Sequence, residues 1–206
     1  LGDDKAGDVI TIASTDLISK RIKLTNFDKK DVLVIGGGPI GVLVAMVARD
    51  AGGNVVISEV NPSRLAIAEK LGFATINPKQ TDLAEAINAR TKDKGADVVF
   101  EVSGTQAGVD AMTACTATKG RIVMVAIHAQ KPEIDMFRFF WRELELIGVR
   151  VYEKEDYEKA ILMITYGGVD ADTVITDVSP LSDIQSAFEE LDASPTALKS
   201  LIKVGA

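Results

Sequence analysis

The sequence predicts an α/β fold, a doubly wound parallel sheet of six strands flanked by helices. Short runs rich in Val and Ile alternate with longer segments that carry apolar residues at three-to-four spacing. These longer segments close on glycine, the usual C-terminal stop of a helix. Because the alternation repeats through most of the chain, we expect right-handed crossovers between neighbouring strands, and therefore a parallel sheet.

Each predicted strand is brief, rich in β-branched residues and bounded by residues that favour turns. The six strands are at residues 31–36, 54–59, 73–78, 96–104, 120–127 and 143–152. The helices between the first five strands are at residues 39–53, 62–72, 81–95 and 105–120.

The two ends of the chain fit the wound sheet less well. Residues 1–25 contain a short extended piece that feeds a helix, and we predict that they lead in from another domain. Residues 26–152 form the domain with the sheet, and residues 153–206 form a C-terminal helix-strand-helix-strand segment. Its elements are predicted at residues 153–168, 173–181, 181–194 and 198–204.

Composition excludes several classes of protein. The net charge of −7 comes without a basic stripe that could neutralise phosphates, which argues against a nucleic-acid partner. No apolar run approaches the roughly 20 residues that span a bilayer, and the acidic start lacks the basic region of a signal peptide. The single cysteine, Cys115, fits a reducing compartment. We therefore expect a cytoplasmic protein with no membrane partner.

A glycine-rich loop joins the first predicted strand to the first predicted helix. Gly36, Gly38 and Gly41 form the pattern G-x-G-x-x-G. The first glycine permits the tight turn, the second leaves room for a pyrophosphate, and the third lets the helix pack closely on the strand. Pro39 suits the first helical turn, where its missing N–H is not needed, and Ile40 follows it. The motif alone is weak, because any tight strand-to-helix turn favours glycine.

An acidic residue at the end of the second strand strengthens this prediction. Glu59 lies where a carboxylate hydrogen-bonds the hydroxyls of an adenosine ribose in dinucleotide-binding folds. Arg64 could flank the same ribose, and Val60 lies between them in sequence. The alternatives are a solvated charge at the strand end for Glu59 and a surface arginine for Arg64. Because the glycine loop and this acid occur together, we predict an NAD(H) site.

Two later strand ends complete the predicted site. Val102, Ser103 and Gly104 follow the fourth strand, where small residues would let the backbone pass close to the adenosine side. Ala126 and Ile127 follow the fifth strand, close to the point where such sheets bind the nicotinamide half.

His128, the only histidine, follows directly. One interpretation is that His128 is a catalytic acid or base. The other is that it is solvated, which is more common for a lone histidine on a loop.

Five segments together resemble the cofactor half of the zinc-dependent medium-chain dehydrogenase/reductase family, and within it the polyol, butanediol and threonine dehydrogenase branch. The resemblance covers roughly residues 20–206. The segments are "VLVIGGGPIG", "VVISEVNPSRLAIAEKLG", "ADVVFEVSG", "KGRIVMVAI" and "ELELIGVRVYEKEDYEKAI".

This resemblance implies a fold of the Rossmann type, glycines that hold the pyrophosphate and a Glu59 that selects NAD. It also implies that the segments at Val102-Ser103 and Ala126-Ile127 line the adenosine and nicotinamide pockets.

The resemblance also implies that the catalytic zinc site of the family is not expected in this chain. In the family, zinc is held by a cysteine, a histidine and an acid of an N-terminal barrel-like domain, and the sequence begins after that domain would end. Ala13-Ser14 stands where a Glu-Pro pair is usual. We therefore predict no catalytic and no metal-binding residue here, and zinc only in the parent enzyme.

The predicted parent reaction is hydride transfer between NAD and a secondary alcohol or polyol, or the corresponding ketone. On its own the chain is expected to be inactive. The strand at 143–152 is predicted to join two copies into a homo-dimer or a tetramer.

Two other functions remain open from the sequence. A stand-alone NAD-sensing regulatory domain would share the glycine loop and Glu59, but it would not need the segment at residues 148–161 and the closing strand at residues 198–204. A methyltransferase also has a glycine loop and an acid after its second strand, although the later motifs do not match that fold.

Overall fold

A computed structural model describes residues 27–193 and 197–204. The elements expected within residues 1–25, and Ala13-Ser14, lie outside the described residues. Six parallel strands form one sheet in the order β3-β2-β1-β4-β5-β6, which confirms the predicted doubly wound architecture. The strands are β1 (Asp31–Ile35), β2 (Asn54–Ser58), β3 (Ala74–Ile76), β4 (Ala96–Glu101), β5 (Thr116–Met124) and β6 (Glu145–Gly148).

Helices cover both faces of this sheet. They are α1 (Pro39–Asp50), α2 (Pro62–Lys70), α3 (Leu83–Thr91), α4 (Gln106–Cys115) and α5 (Met136–Arg142). Alternate residues of β1 enter two different apolar clusters: Val32 and Val34 pack with α1, and Leu33 and Ile35 pack with α3 and α4. Both sets are buried, which explains why β1 is a continuous apolar run.

The strand order reverses between β1 and β4, since β2 lies on one side of β1 and β4 on the other. The loops that leave the carboxyl ends of these two strands lie at this reversal. In open α/β sheets this switch point is where ligands bind. Among the described helices, none is long and apolar enough to cross a membrane.

The C-terminal segment forms a second, smaller layer. It contains α6 (Lys154–Thr165), α7 (Ala171–Val174), β7 (Ile175–Pro180), α8 (Ile184–Ala193) and β8 (Lys199–Lys203), with a 3₁₀ turn at Leu181–Asp183. Strands β7 and β8 pair in parallel as a separate two-stranded sheet. Val174 and Leu198 pack into the apolar cluster of α1, and the Tyr166 hydroxyl donates to Asp50 Oδ2 at 2.6 Å. These contacts anchor the segment to the domain with the six-stranded sheet.

Several helices end earlier than predicted, and the largest difference is at the end of α4. The helix predicted over residues 105–120 ends at Cys115, and β5 starts at Thr116. Thr116 has extended backbone angles, and its Oγ1 donates to the Met112 carbonyl at 2.6 Å, which satisfies one of the last helical acceptors. The register then shifts, because Thr116 lies opposite Ala96 while Arg121 lies opposite Val98.

Two further differences concern the end of the sheet. Helix α5 was not predicted, since most of its apolar side chains are exposed and give no core-facing stripe. Its N-terminus is capped by Asp135, which accepts from Arg138 N at 3.2 Å. The strand predicted over residues 143–152 is confirmed as the last strand of the sheet but spans only Glu145–Gly148.

Candidate functional site

The loop between β1 and α1 has a conformation that only glycine allows at its first position. Gly36 has a φ of 107°, and its N–H donates to the Ser58 carbonyl of β2 at 2.8 Å. A Cβ at Gly36 would lie 2.9 Å from the backbone nitrogen of Ser103. This glycine therefore lets the loops after β1 and β4 approach each other.

Helix α1 begins inside this loop and directs its first turn toward the crevice. Gly38 is the N-cap, Pro39 is the first helical residue, and Ile40 is largely exposed. A Cβ at Gly41 would overlap the Gly36 carbonyl oxygen, so the close packing expected of the third glycine is present. N–H groups of the first turn and the positive end of the helix dipole are suited to a phosphate.

The carboxylate of Glu59 connects the glycine loop with the loop after β2. Its Oε2 accepts from Gly37 N at 2.8 Å, and its Oε1 accepts from Val60 N at 2.7 Å and Asn61 N at 2.8 Å. Glu59 is only 6% exposed, so the solvated alternative is wrong. A carboxylate offers about four acceptor positions, and three donors leave one of them on Oε2.

Arg64 lies in the first turn of α2 and reaches toward the glycine loop. Asn61 caps this helix by accepting from Ser63 N and Arg64 N. The Nε of Arg64 is buried and finds no acceptor among the described residues, and its Nη1 is 3.8 Å from where a Cβ on Gly38 would lie. Buried N–H groups normally have a hydrogen-bond acceptor. The Nε–H of the Arg64 guanidinium has none, and a ligand with an anionic group or a hydroxyl beside it would supply one.

These groups line one cavity of about 460 Å³ at the carboxyl edge of the sheet. Its volume is in the usual range of small-molecule sites, about 300–1,000 Å³. Of the predicted residues it brings together Gly36, Gly38, Glu59, Val60, Arg64, Val102 and Ser103. The remaining lining residues are Ile35, Ser58, Pro78, Leu83, Thr105, Ala107, Gly108 and Ala111. Pro39, Ile40, Gly41, Gly104, Ala126 and Ile127 do not line it.

The loop after β4 is held by Glu101, a fully buried carboxylate. Its Oε1 accepts from the backbone N–H of Ser103 at 2.9 Å, from the Ser103 hydroxyl, and from Gly104 N at 3.1 Å. The Glu101 carbonyl accepts from Val125 N and Ala126 N of the loop after β5. One residue therefore fixes both loops relative to each other.

The loop after β5 passes close to the loop after β4. A Cβ at Gly104, whose φ is 68°, would lie 3.0 Å from the Ile127 carbonyl. The Ile127 side chain is 94% exposed. His128 is turned inward, with its Nε2 3.4 Å from Glu101 Oε2 and its side chain 11% exposed. The solvated interpretation of His128 is therefore wrong, and His128 does not line the cavity.

Sequence reasoning missed three residues that shape the site. Glu101 was overlooked because the apolar residues before it set the strand pattern. A carboxylate at the end of such an apolar strand was itself a signal of a buried, hydrogen-bonded group. Gly37 was treated as a spacer of the glycine motif. Gly108, in the first turn of α4, has no room for a Cβ because the Ser103 hydroxyl and Glu101 Oε1 occupy that space.

Comparison with known proteins identifies the family. A model of the family described as zinc-binding dehydrogenase matches residues 39–165, which is more than half of the chain. This chain belongs to the zinc-binding dehydrogenase family. The matched region is the cofactor-binding domain region of that family and contains the glycine loop from Pro39 onward, Glu59 and Arg64.

Curated relatives are dehydrogenases of this same family. The chain is 46% identical over 197 residues to 2-dehydro-3-deoxy-L-galactonate 5-dehydrogenase of Pseudoalteromonas atlantica, covering 96% of this chain and 57% of the relative. It is 35% identical to L-threonine 3-dehydrogenase of Rhizobium rhizogenes, covering 79% of this chain and 48% of the relative. The chain thus spans about half the length of the relatives that it matches.

A solved structure supports the family relationship and the fold. It is 2R,3R-butanediol dehydrogenase from Bacillus subtilis, with a TM-score of 0.80 and 27% sequence identity. The match covers 100% of this chain and 60% of the other chain.

The metal that the family description implies does not fit the part of the chain that the structure describes. There, no group of three or more His, Cys, Asp or Glu side chains could hold a metal ion. Cys115 is buried at the end of α4, and burial raises the pKa of its thiol to about 12. The thiol is therefore protonated at neutral pH, whereas the thiolate is the nucleophilic and metal-binding form of cysteine.

Proposed function

We propose that this chain binds NAD(H) as the cofactor-binding domain of a dehydrogenase. In the proposed reaction, hydride passes between the nicotinamide and a secondary alcohol or polyol, or the corresponding ketone. The observation that carries the proposal is the convergence of Gly38, Glu59 and Arg64 on one cavity at the switch point of the sheet. Together they offer a helix N-terminus, a buried acceptor and a cation with a free donor.

Each part of the cofactor has matching residues in this chain. The pyrophosphate would be held by Gly36, Gly38 and the first turn of α1, where Pro39, Ile40 and Gly41 shape the helix start. An adenosine ribose hydroxyl would donate to Glu59 Oε2, which has one acceptor position left. The sequence predicted acceptance from both hydroxyls; because three backbone N–H groups already donate to this carboxylate, we propose acceptance from one.

The nicotinamide side would be formed by the two loops that Glu101 holds together. Gly104, Ala126 and Ile127 lie there, next to the cavity that we assign to the adenosine half. When bound, NAD supplies the carbon that accepts the hydride. The residues of this chain position the cofactor and exclude water from one side of it. We therefore propose that the chain alone does not turn over an alcohol.

The substrate class is proposed from the relatives. Two relatives are a 5-dehydrogenase of a sugar acid and a 3-dehydrogenase of threonine, and the similar structure is a butanediol dehydrogenase. All three support a small polar substrate that is oxidised at a secondary hydroxyl. Zinc remains a property proposed for the parent enzyme only.

We further propose that two or four copies associate through β6. This strand is an edge of the sheet, and Leu146 and Ile147 on it are exposed. Helix α5, just before it, exposes Phe137, Phe140 and Trp141. Open apolar edges invite pairing, and a two-fold axis closes such a contact. The cytoplasmic location remains a proposal that rests on the single, buried cysteine.

Calorimetric titration with NADH tests the proposed function. We expect saturable binding of NADH and no binding of S-adenosylmethionine. The sharpest variant is Gly38→Asp, because Asp is a favoured N-cap residue and its Cβ would have room here, 3.8 Å from Arg64 Nη1, yet it places a negative charge where the pyrophosphate would bind. Because the aspartate would repel the pyrophosphate, NADH affinity should fall at least about tenfold.

Gly148→Asp is the matched control, because Gly148 also has open space around it but lies on β6. It should leave NADH affinity unchanged. If the unmodified chain binds S-adenosylmethionine but not NADH, or if both aspartate variants weaken NADH equally, the proposed site is wrong.

A further inference from the structure

The imidazole of His128 and the carboxylate of Glu101 face each other where the loops after β4 and β5 meet. We propose that His128 is a positioning residue for the nicotinamide half of the cofactor, a role that rests on the proposed binding of NAD(H). A proton on its Nε2, donated to Glu101 Oε2, fixes the loop after β5 against the loop after β4. His128 thus acts through the backbone of Ala126 and Ile127 and does not touch the reacting atoms.

The Nε2 of His128 is a buried nitrogen that lacks a hydrogen bond. The side chain is 11% exposed, and Nε2 has no hydrogen-bond partner among the residues that the structure describes. Glu101 Oε2 lies 3.4 Å from it. Buried polar side-chain atoms are nearly always hydrogen-bonded. A movement of about half an ångström would bring the two atoms to the roughly 2.7–2.9 Å of a charge-assisted hydrogen bond.

The carboxylate of Glu101 has the complementary deficit on its second oxygen. The side chain is fully buried, and Oε1 accepts from the N–H and the hydroxyl of Ser103 and from the N–H of Gly104. Within the described part of the chain, Oε2 accepts only from Gly104 N, at the long distance of 3.4 Å. Because a buried carboxylate is tolerated when donors supply its oxygens, Oε2 is the acceptor that suits His128 Nε2.

The consequence for the cofactor comes from the position of His128 in its loop. Ala126 and Ile127, which we assign to the nicotinamide side, directly precede it. The Glu101 carbonyl accepts from Ala126 N at 3.1 Å, while the Glu101 carboxylate faces the His128 ring. One residue of β4 therefore contacts both ends of the segment 126–128. With both contacts made, the backbone between them has a fixed position against the nicotinamide.

The same geometry separates this role from acid or base chemistry. A general acid or base must lie within hydrogen-bond reach of the proton that it transfers. The Nε2 of His128 is buried and turned toward Glu101. This nitrogen is therefore assigned to holding the loop.

Nitrogen NMR of the histidine ring tests the position of the proton. His128 is the only histidine of the sequence, so the imidazole signals of the untagged, isotope-labelled chain come from one residue. We expect Nε2 to carry a proton at neutral pH, in the Nε2–H tautomer or in the imidazolium, since both direct a donor at Oε2. A neutral ring with its proton on Nδ1 would set a lone pair against Oε2 and would overturn the inference.

The effect on the cofactor is measured with two ligands. ADP-ribose is NADH without the nicotinamide, so the ratio of their affinities isolates that half. Both are titrated calorimetrically into the unmodified chain, His128→Gln and His128→Asn. The amide nitrogen of Gln lies as many bonds from Cβ as Nε2 of His, whereas that of Asn matches Nδ1. His128→Asn should bind NADH about fivefold more weakly with unchanged affinity for ADP-ribose, and His128→Gln should bind both ligands as the unmodified chain does.

Gln130→Asn is the matched control, because Gln130 is exposed in the same loop. It should leave the ratio of the two affinities unchanged. A variant that merely destabilised the fold would weaken NADH and ADP-ribose equally. Thermal unfolding checks that each variant folds, and the nitrogen spectrum of the unmodified chain decides the matter if His128→Asn does not.

The outcomes separate the role of His128 from the proposed function. If the unmodified chain binds neither NADH nor ADP-ribose, the proposed function fails and the inference fails with it. If it binds both, but His128→Asn leaves the ratio unchanged or His128→Gln lowers it equally, only the role of His128 is overturned.

Discussion

The carboxylate of Glu101 is fully buried and lies 3.4 Å from Nε2 of His128, where the loops after β4 and β5 meet. The same carboxylate accepts from the backbone N–H groups of Ser103 and Gly104. A buried carboxylate is tolerated only when it is well supplied with donors, and here its hydrogen-bond donors come from Ser103 and Gly104 of the loop after β4, while His128 Nε2 of the loop after β5 lies beside it without a hydrogen bond. Glu101 therefore acts on the cofactor indirectly, by fixing the loops that would bind it.

Glu101→Ala is expected to destabilise the folded chain by about 2–4 kcal/mol, because it leaves buried N–H donors without acceptors and creates a cavity. Urea unfolding followed by circular dichroism measures the change. Glu143→Ala, at an exposed glutamate that ends α5, is the control and should cost less than about 1 kcal/mol. Equal losses in the two variants would contradict the role assigned to Glu101.

Glu59 is expected to make the chain prefer NADH to NADPH. Glu59→Ser should weaken NADH binding and improve NADPH binding, since it removes the acceptor and the negative charge together. Because three backbone donors also lose their acceptor, this variant should unfold at a lower temperature. Calorimetric titration measures the affinities, and equal affinity of the unmodified chain for both cofactors would show that Glu59 is misassigned.

Arg64→Ala should change the preference in the opposite direction. The free donor of Arg64 could bind a 2′-phosphate, so that the arginine limits the native preference to about tenfold, or about 1.4 kcal/mol. Without it, NADPH should bind more weakly still while the ribose contact of Glu59 remains. An unchanged affinity for NADPH would place Arg64 outside the ribose site.

The parts of this fold that sequence could predict are those set by local patterns. The strands β1, β2 and β4 are buried on both faces and therefore read as continuous apolar runs, and Glu59 was found because it follows the glycine loop at a characteristic spacing. The contacts that hold the site residues in place could not be predicted from local patterns. Gly37 and Glu59 are 22 residues apart in sequence, and their contact depends on the pairing of β1 with β2.

The same reasoning explains the elements that were missed. Helix α5 places its aromatic side chains outward, so that no buried stripe marks its period. Thr116 looked like the continuation of a helix, because the competing pairing with Ala96 comes from a strand some distance away in sequence. The second case is a tertiary contact that overrides a local pattern.

Asp97 should make stability depend on pH in the acidic range. Burial raises the pKa of this carboxyl, but hydrogen bonds from Asp31 N and Lys94 Nζ outweigh burial and hold the pKa below its usual value. A lowered pKa means that Asp97 stabilises the folded state above its unfolded pKa of about 3.9, and that this contribution is lost as pH falls through the lowered value.

Asp97→Asn should therefore destabilise the chain at pH 7 by on the order of 0.5–1 kcal/mol after solvent screening, with the difference shrinking below about pH 4. Urea unfolding at pH 7, 5 and 3 measures it. Asp93→Asn is a suitable control, because Asp93 is exposed and its φ of 63° also suits asparagine. A difference that grows as the pH falls would contradict the assigned direction.

The isolated chain should bind no stoichiometric zinc and should oxidise no alcohol. The residues that the structure describes contain no group of side chains that could hold a metal, and a catalytic zinc site needs three protein ligands. Metal analysis, together with NADH absorbance in the presence of diols and polyols, measures both. Zinc at one equivalent with steady turnover would overturn the prediction.

Association through β6 should be visible in solution. Light scattering is expected to give the mass of a dimer or tetramer at high concentration, and Ile147→Lys should shift the population toward the monomer, because a charge at an apolar edge disfavours pairing. Val204→Lys, at an exposed residue just after β8, controls for the added charge. A monomer at all concentrations, or equal shifts for both variants, would rule out this interface.

Trp141, the only tryptophan of the sequence, stacks on Phe137 in α5 with ring centroids 5.9 Å apart, and its side chain is largely exposed. It does not line the cavity assigned to the adenosine half. Its intrinsic fluorescence should therefore emit at the long wavelengths typical of hydrated indole, and it should shift to shorter wavelengths when the α5 surface becomes covered. The chain thus carries a built-in optical reporter of self-association, separate from the absorbance of NADH that reports on cofactor chemistry.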